Sequence, residues 1–199
     1  MMGHVDLLRH GALCGGVRYR GRMEEDLNAE GWQQMEQRWQ QLKPDSEVII
    51  SSPLSRCAIP AQKWAKEKGI ACVIMPEFQE MNYGAWEGMS KAEIEKAFPN
   101  MLAQWRTDPS SMQIPDAESL HDFRLRVLSG WQKIITAHAH QHVLLLTHSG
   151  VFRLILSQIL GAELAALRHF RVQYAAWARL EHKKGEKMML QAYQQGLSK

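Results

Sequence analysis

The chain has 199 residues, enough for one domain with a substantial core, and 45% of its side chains are hydrophobic against 23% charged, a balance that excludes a disordered or collagen-like polypeptide. Its formal charge of +3 includes no run of five like charges. That argues against nucleic acid as a partner and for a local basic site that takes a small anion. The longest apolar runs fall far short of a membrane span, and strand-like sequence begins within the first few residues, leaving no room for a signal peptide. Cys14, Cys57 and Cys72 are an odd set without CxxC spacing, as in the reduced thiols of a cytoplasmic protein. The expected compartment is therefore the cytoplasm, with no membrane partner. Nothing in the chain fixes an oligomeric state.

In chain order, apolar runs at residues 4–8, 47–50, 70–75 and 143–147 predict strands, and each has a helical pattern nearby. A first helix starts near Asn28 and carries Trp32, Met35, Trp39 and Leu42 as one buried face. A second begins at Pro53, a residue suited to the first helical position, and runs to about Lys68. Ser90 and Glu93 form a capping-box pattern that opens a short helix to Phe98, and Pro99 begins another piece through Trp105. Residues 118–138 predict a long amphipathic helix with Leu120, Phe123, Val127, Trp131, Ile134 and Ile135 inward. A helix over 151–160 is stopped by Gly161. The final stretch alternates as strands at 172–180 and 188–193, with Ser198 and Lys199 fraying. There is no internal repeat and no interdomain linker, so residues 1–199 read as one domain. The alternation of strands and helices predicts an α/β fold around a mainly parallel sheet. Residues 12–26 and 76–89 resist regular structure, and long loops of this kind usually carry binding or catalytic contacts.

Three predicted strand ends repeat one chemistry. The first ends in Arg9-His10-Gly11, the second in Ser51-Ser52-Pro53-Leu54-Ser55-Arg56, and a late one in Thr147-His148-Ser149-Gly150. Carboxyl ends of parallel strands share one edge of a sheet, where ligands bind. If these strands are neighbours, Arg9, His10, Arg56 and His148 converge. Four such groups repel one another unless an anion sits among them, and a phosphoryl group is the natural occupant. The helix after His148 would add backbone N–H donors and its dipole.

These segments, together with Glu80-Met81-Asn82-Tyr83-Gly84-Ala85-Trp86-Glu87-Gly88 and the extension Val151-Phe152-Arg153, resemble the histidine phosphatase, or phosphoglycerate mutase-like, superfamily in order and spacing over essentially the whole chain. The resemblance implies a three-layer α/β/α fold with helices on both faces of the sheet. It implies His10 as the nucleophile that becomes phosphorylated, Arg9, Arg56 and protonated His148 around the phosphoryl oxygens, and Glu80 as proton donor. No metal or other cofactor is implied, because arginines supply the positive charge. Glu77 and Glu87 lie in the same loop as Glu80, but Glu80 has the matching spacing before Tyr83-Gly84.

Tyr83 and Ser149 are candidate substrate contacts. Lys91 corresponds to a substrate-binding lysine of the mutases and reads equally as a solvated helix residue. His138, His140 and His142 have metal-like spacing but read as surface residues at a helix end. Cys57 beside Arg56 reads as a buried, inert thiol. The chain departs from the family where many members carry Glu or Gln and then Asn after the motif, positions held here by Ala12 and Gly16. Gly15 and Gly16 could offer backbone N–H groups instead, or Arg18 or Arg20 could reach in, with Arg20 favoured by the Tyr19-Arg20-Gly21 pattern.

The long insertion with paired arginines used by mutases is missing, and Arg106 alone lies nearby, which favours phosphatase over mutase. The expected activity is hydrolysis of a small phosphorylated metabolite. Among phosphatases the loop and the 114–119 segment most resemble α-ribazole phosphatases of cobalamin assembly. A general phosphosugar phosphatase and a phosphoglycerate mutase are alternatives, and a non-catalytic phosphate-binding interaction protein is the alternative from another class.

Overall fold

The computed structural model describes residues 3–109, 111–163, 170–181 and 188–196, so the expected fraying at Ser198 and Lys199 lies outside the described residues. Six strands form one sheet: β1 (His4–Arg9), β2 (Val48–Ser51), β3 (Ala71–Ile74), β4 (His142–Thr147), β5 (Trp177–Glu181) and β6 (Met189–Gln194), in the order β3-β2-β4-β1-β5-β6. The first four pair in parallel, whereas β5 runs antiparallel to β1 and to β6.

Apolar side chains on both faces of the central strands explain their near-continuous hydrophobic sequence. Val5, Leu7, Val48, Ile50, Val143 and Leu145 join one core with Phe123, Val127, Trp131 and Ile134 of α5 (Leu120–Ala137) and with Phe152 and Ile155 of α6 (Ser149–Leu160). Leu8, Ile49, Leu144 and Leu146 face the other way, onto Met35, Trp39 and Leu42 of α1 (Ala29–Leu42) and Cys57, Ala61 and Trp64 of α2 (Ser55–Lys68). Trp39 and Trp64 stack with ring centroids 5.0 Å apart, tying α1 to α2. Helices thus cover both faces of the sheet, as a three-layer α/β/α fold requires. No helix among the described residues is long and apolar enough to cross a membrane.

Side-chain caps set the starts of three of the six described α-helices, α1, α3 (Lys91–Ala97) and α5. Asn28 Oδ1 accepts from Gly31 N at 2.7 Å, and Ser90 and Glu93 form the expected reciprocal capping box before α3. Four starts differ from the sequence reading, one of them that of α6, which begins at Ser149, two residues earlier than expected. α2 begins at Ser55 because Leu54 stays extended as its cap and Ser52 Oγ accepts from Leu54 N. α4 (Met101–Thr107) waits until Asn100 has passed through a left-handed conformation, φ 67°. Ser119 caps α5, while Glu118 is pulled aside by Arg126, whose Nη2 lies 2.7 Å from Glu118 Oε2.

The largest departure concerns residues 172–176, expected as strand. They form a loop against the carboxyl end of β1, where Ala176 O accepts from Arg9 N and His10 O accepts from Ala175 N. Ala175 takes φ 53°, which no strand residue can. Trp86, Ile94, Leu102 and Ile114 make a small third core beneath α3 and α4.

Candidate active site

Strand register brings the expected groups together. Arg9 lies beside Thr147 and Ser51 beside Leu146, so the next residues of all three strands (His10, His148 and Ser52) emerge at one edge. His10 is buried, and its Nδ1 is 2.9 Å from Gly11 O. A carbonyl only accepts, so Nδ1 carries the hydrogen and the Nε2 lone pair is free. Burial, followed by the charges of Arg9 and Arg56, holds the imidazole well below its ordinary pKa. His10 is therefore a neutral imidazole at physiological pH, with a lone pair on Nε2.

His148 was expected as an imidazolium and is a neutral imidazole in the free protein. Arg56 Nε donates to its Nδ1 at 3.3 Å, so Nε2 carries the hydrogen and donates to Ser52 Oγ at 2.7 Å. Burial and the adjacent Arg56 depress its pKa as well. The two rings lie 5.3 Å apart between centroids. Two of the four expected cations are thus uncharged, and of the mutual repulsions inferred for four cations only that between Arg9 and Arg56 remains.

Arg56 also donates to the carbonyls of Met23 (2.7 Å) and Gly21 (2.6 Å), hanging the 12–26 loop on the site. The Arg9 guanidinium lies over the Tyr174 ring, 4.3 Å from its centroid, and donates to Val172 O at 2.5 Å. Burial brings its pKa down to about 10, and its Nε is a buried donor without a hydrogen-bond partner among the described residues. An anion would satisfy it.

Glu80 faces this cluster from the 76–89 loop and is buried. Its Oε2 accepts from Gly150 N (2.9 Å) and Ser149 Oγ (3.4 Å), and its Oε1 from Met81 N (3.0 Å). A Cβ on Gly150 would meet Glu80 Oε1 at 2.2 Å, so this approach requires glycine. The neighbouring carboxylates are occupied elsewhere. Glu87 accepts from the backbone N–H groups of Gly21, Arg22, Met23 and Tyr83, stapling the two long loops together. Glu77 pairs with Lys133 at 2.5 Å.

Arg9, His10 and Glu80 open into a cleft of about 380 Å³, whose wall also includes Arg18, Arg20, Tyr83, Lys91 and Ser149. Gly16 lies outside that wall. The Gly15 and Gly16 carbonyls hold the loop's arginines: Gly15 O accepts from Arg18 Nε at 3.2 Å and Gly16 O from Arg20 at 2.7 Å. Arg20 reaches the wall, but it forms an ion pair with Glu25 and also donates to Cys14 O. Its guanidinium braces the loop.

Three further wall residues, Trp105, Arg153 and Tyr174, received no role from the sequence. Arg153 had a readable signal, since it follows Ser149 by four residues and so shares its helix face. Tyr174 had none, lying in a segment that alternates like a strand. Cys57 is fully buried, 3.8 Å from His148 Nε2, and burial pushes its thiol up to about 12. His138 bonds Gln141, and the His142 ring packs tilted against His4, with centroids 3.9 Å apart. Among the described residues no group of three or more His, Cys, Asp or Glu side chains gathers as a metal site.

The two neutral imidazoles make stability depend on pH. Below pH 6.5 the unfolded chain protonates both histidines while the fold resists, so their contribution is neutral above 6.5 and destabilising as pH falls. At up to about 1.4 kcal/mol per pH unit for each group, the pair should remove about 2 kcal/mol between pH 7 and 5.5. Urea unfolding at the two pH values measures it. A His10→Gln/His148→Gln variant should lose most of this slope, and an equal slope in both proteins would contradict the assignment.

A family model described as the histidine phosphatase superfamily (branch 1) matches residues 5–194. Phosphoserine phosphatase 1 of Hydrogenobacter thermophilus is 26% identical over 162 residues, 81% of this chain and 77% of that protein. The adenosylcobalamin/alpha-ribazole phosphatase of Escherichia coli is 24% identical over 178 residues, 88% of each. Among solved structures, the alpha-ribazole phosphatase of Shigella flexneri superposes with a TM-score of 0.85 at 22% identity, covering 98% of this chain and all of that one. A mycobacterial glucosyl-3-phosphoglycerate phosphatase gives 0.85 at 21%, with the same coverage. These superpositions bear on the fold alone.

Proposed function

Because this chain belongs to the histidine phosphatase superfamily and is a phosphatase, we propose that it hydrolyses phosphate monoesters of small metabolites through a phosphohistidine at His10, as a single-domain, metal-independent cytoplasmic enzyme. The observation that carries this reading is the tautomer of His10. Its Nδ1–H is tied to Gly11 O, so the Nε2 lone pair is free at the floor of a cationic cleft. Nε2 attacks phosphorus, the bond to the ester oxygen breaks, and Glu80 gives that oxygen its proton. Arg9 and Arg56 hold the phosphoryl oxygens as charge spreads onto them, and His148, whose one N–H is given to Ser52 in the free protein, joins them by turning that N–H to the anion or by taking up a proton as the anion binds. The Glu80 carboxylate then takes a proton from water, the water oxygen attacks phosphorus, and the N–P bond breaks, restoring His10. Ser149 and Tyr83 contact the remainder of the substrate, and Arg20 and Gly16 shape its entry loop.

The specific substrate we propose from the sequence resemblance is α-ribazole phosphate, with the Escherichia coli relative in support. No nucleic acid or membrane takes part. Rapid mixing with a panel of phosphate esters that includes α-ribazole phosphate should trap an acid-labile phosphoenzyme, and α-ribazole phosphate should exceed the other esters in kcat/KM. Failure of every ester to phosphorylate the protein would overturn the mechanism. A flat panel would overturn the substrate.

A further inference from the structure

Glu80 stands in a loop outside the sheet and the long helices, so its carboxyl can be no better placed than the loop itself. The carbonyls leading up to it are met by two side chains. Thr147 Oγ1 donates to Phe78 O at 3.1 Å. The Arg126 guanidinium, on α5, takes the others. Its Nη1 donates to Glu77 O at 2.9 Å and Gln79 O at 3.1 Å, with Pro76 O at 3.4 Å, and its Nη2 reaches Glu80 O at 3.5 Å.

The other edge of the guanidinium closes on Glu118. Nε and Nη2 donate to the two carboxylate oxygens at 2.8 and 2.7 Å, a bidentate pair with both side chains mostly buried. Glu118 in turn grips the chain just past Glu80: its N donates to Asn82 O at 3.0 Å, and its Oε2 accepts from Asn82 N at 3.4 Å. One ion pair therefore holds the backbone on both sides of the acid. Gly130, one turn along α5, lets the loop come this close, since a Cβ there would meet Glu77 Cβ at 2.6 Å. The helix itself does not depend on the pair for docking, because Phe123, Val127, Trp131 and Ile134 already join it to the sheet core. Arg126 is no part of the cleft wall. It can act on the chemistry through the loop, or through its charge, which adds to burial and Arg56 in keeping His148 neutral.

We propose that Arg126, anchored by Glu118, is the positioning residue for Glu80, fixing the loop so that the carboxyl meets the leaving oxygen. The proposal rests on the reading of Glu80 as proton donor. A misplacement of about 1 Å costs on the order of 10²-fold in a step that depends on alignment. A leaving group that needs no proton should not feel it.

The test times phosphoenzyme formation in Arg126→Met by rapid quench, with p-nitrophenyl phosphate and with the alkyl ester that the enzyme hydrolyses best. Formation from the alkyl ester should fall about 10- to 100-fold, and from the aryl ester by less than about 3-fold. Arg126→Lys keeps the charge without the planar fork and should recover only part of the alkyl-ester rate. Full recovery would overturn positioning and leave charge as the route. In a Glu80→Gln background, Arg126→Met should cost the alkyl ester less than about 3-fold, because no acid remains to be placed. Equal losses for the two esters, or the full loss repeated in that background, would also overturn the positioning role. Glu80→Gln alone separates the two claims. If it slows both esters alike, the acid role fails and the positioning role with it. If it is selective and Arg126→Met is not, the acid role stands and only the positioning role falls. Should the stranded Glu118 carboxylate unfold Arg126→Met, Arg126→Lys and Glu118→Gln carry the same comparison, each with a smaller loss confined to the alkyl ester.

Discussion

Replacing His10 with alanine is expected to lower ester hydrolysis by about 10⁴-fold or more and to abolish the phosphoenzyme, as for other enzymes that lose their nucleophile. The size of the effect follows from what surrounds the ring. No neighbour can take its place. Ser149 Oγ is bonded to Glu80, burial raises the Tyr83 hydroxyl, and Cys57 lies behind His148 with its thiol pushed up to about 12. Direct attack by water would have to come from the side His10 vacates, where the nearest ring, His148, already has Nδ1 bonded to Arg56 and Nε2 to Ser52.

The anion cradle, in contrast, should survive the change. His10 is neutral in the free protein, so its removal leaves the charges of Arg9 and Arg56 as they were. Inorganic phosphate should still raise the melting temperature of His10→Ala to within a few degrees of its effect on the unaltered protein. Stopped-flow and quench measurements on a phosphate ester test the chemistry, and thermal shifts with phosphate test the cradle. Turnover retained above a tenth, or phosphate binding lost together with turnover, would contradict the assignment of His10.

Much of this arrangement could be read in the chain because the groups sit where strands stop. Arg9-His10, Ser52 and Thr147-His148 each end an apolar run, and a parallel sheet gathers such ends at one edge. Which strands are neighbours was not readable, since β1, β2 and β4 are separated by loops and helices, and their order depends on packing across the whole domain. The protonation of His148 was misjudged for a related reason. Its state depends on Arg56, 92 residues away, whose Nε faces Nδ1 and makes the second hydrogen there unfavourable.

Arg20 could have been read more fully. Glu25 lies five residues on in the same loop, and a local partner for a buried arginine is more economical than a distant ligand. Residues 172–176 show the opposite limit. Their alternation suits a strand, yet the edge position beside β1 is used to clamp Arg9 and His10, and tertiary contact overrides propensity. Glu87 could not be distinguished from Glu80 by residue type. Its four backbone donors come from two loops that meet only in the folded chain.

Glu80→Gln separates the proton-transfer role from the structural one. The substitution preserves shape, but an amide NH₂ must replace one of the two oxygens. That NH₂ then faces the backbone N–H of either Gly150 or Met81, donor against donor. One buried donor goes unsatisfied, so the variant should lose about 1–3 kcal/mol of stability whatever its chemistry. A fall in activity alone would therefore prove little.

The leaving group discriminates. An alkoxide cannot depart without a proton, so phosphoenzyme formation from an alkyl ester should fall by about 10²–10⁴-fold. A nitrophenolate is stable unprotonated, so formation from p-nitrophenyl phosphate should fall by less than about 10-fold. Hydrolysis of the phosphohistidine also uses Glu80, as the base for water, and should slow with either ester. The variant mixed with p-nitrophenyl phosphate should thus release one equivalent of nitrophenolate in a burst and then stall as phosphoenzyme. Equal losses in the first step for both esters would show that Glu80 holds the loop and α6 together without moving a proton. Loss of the burst would place the damage in the His10 cluster itself.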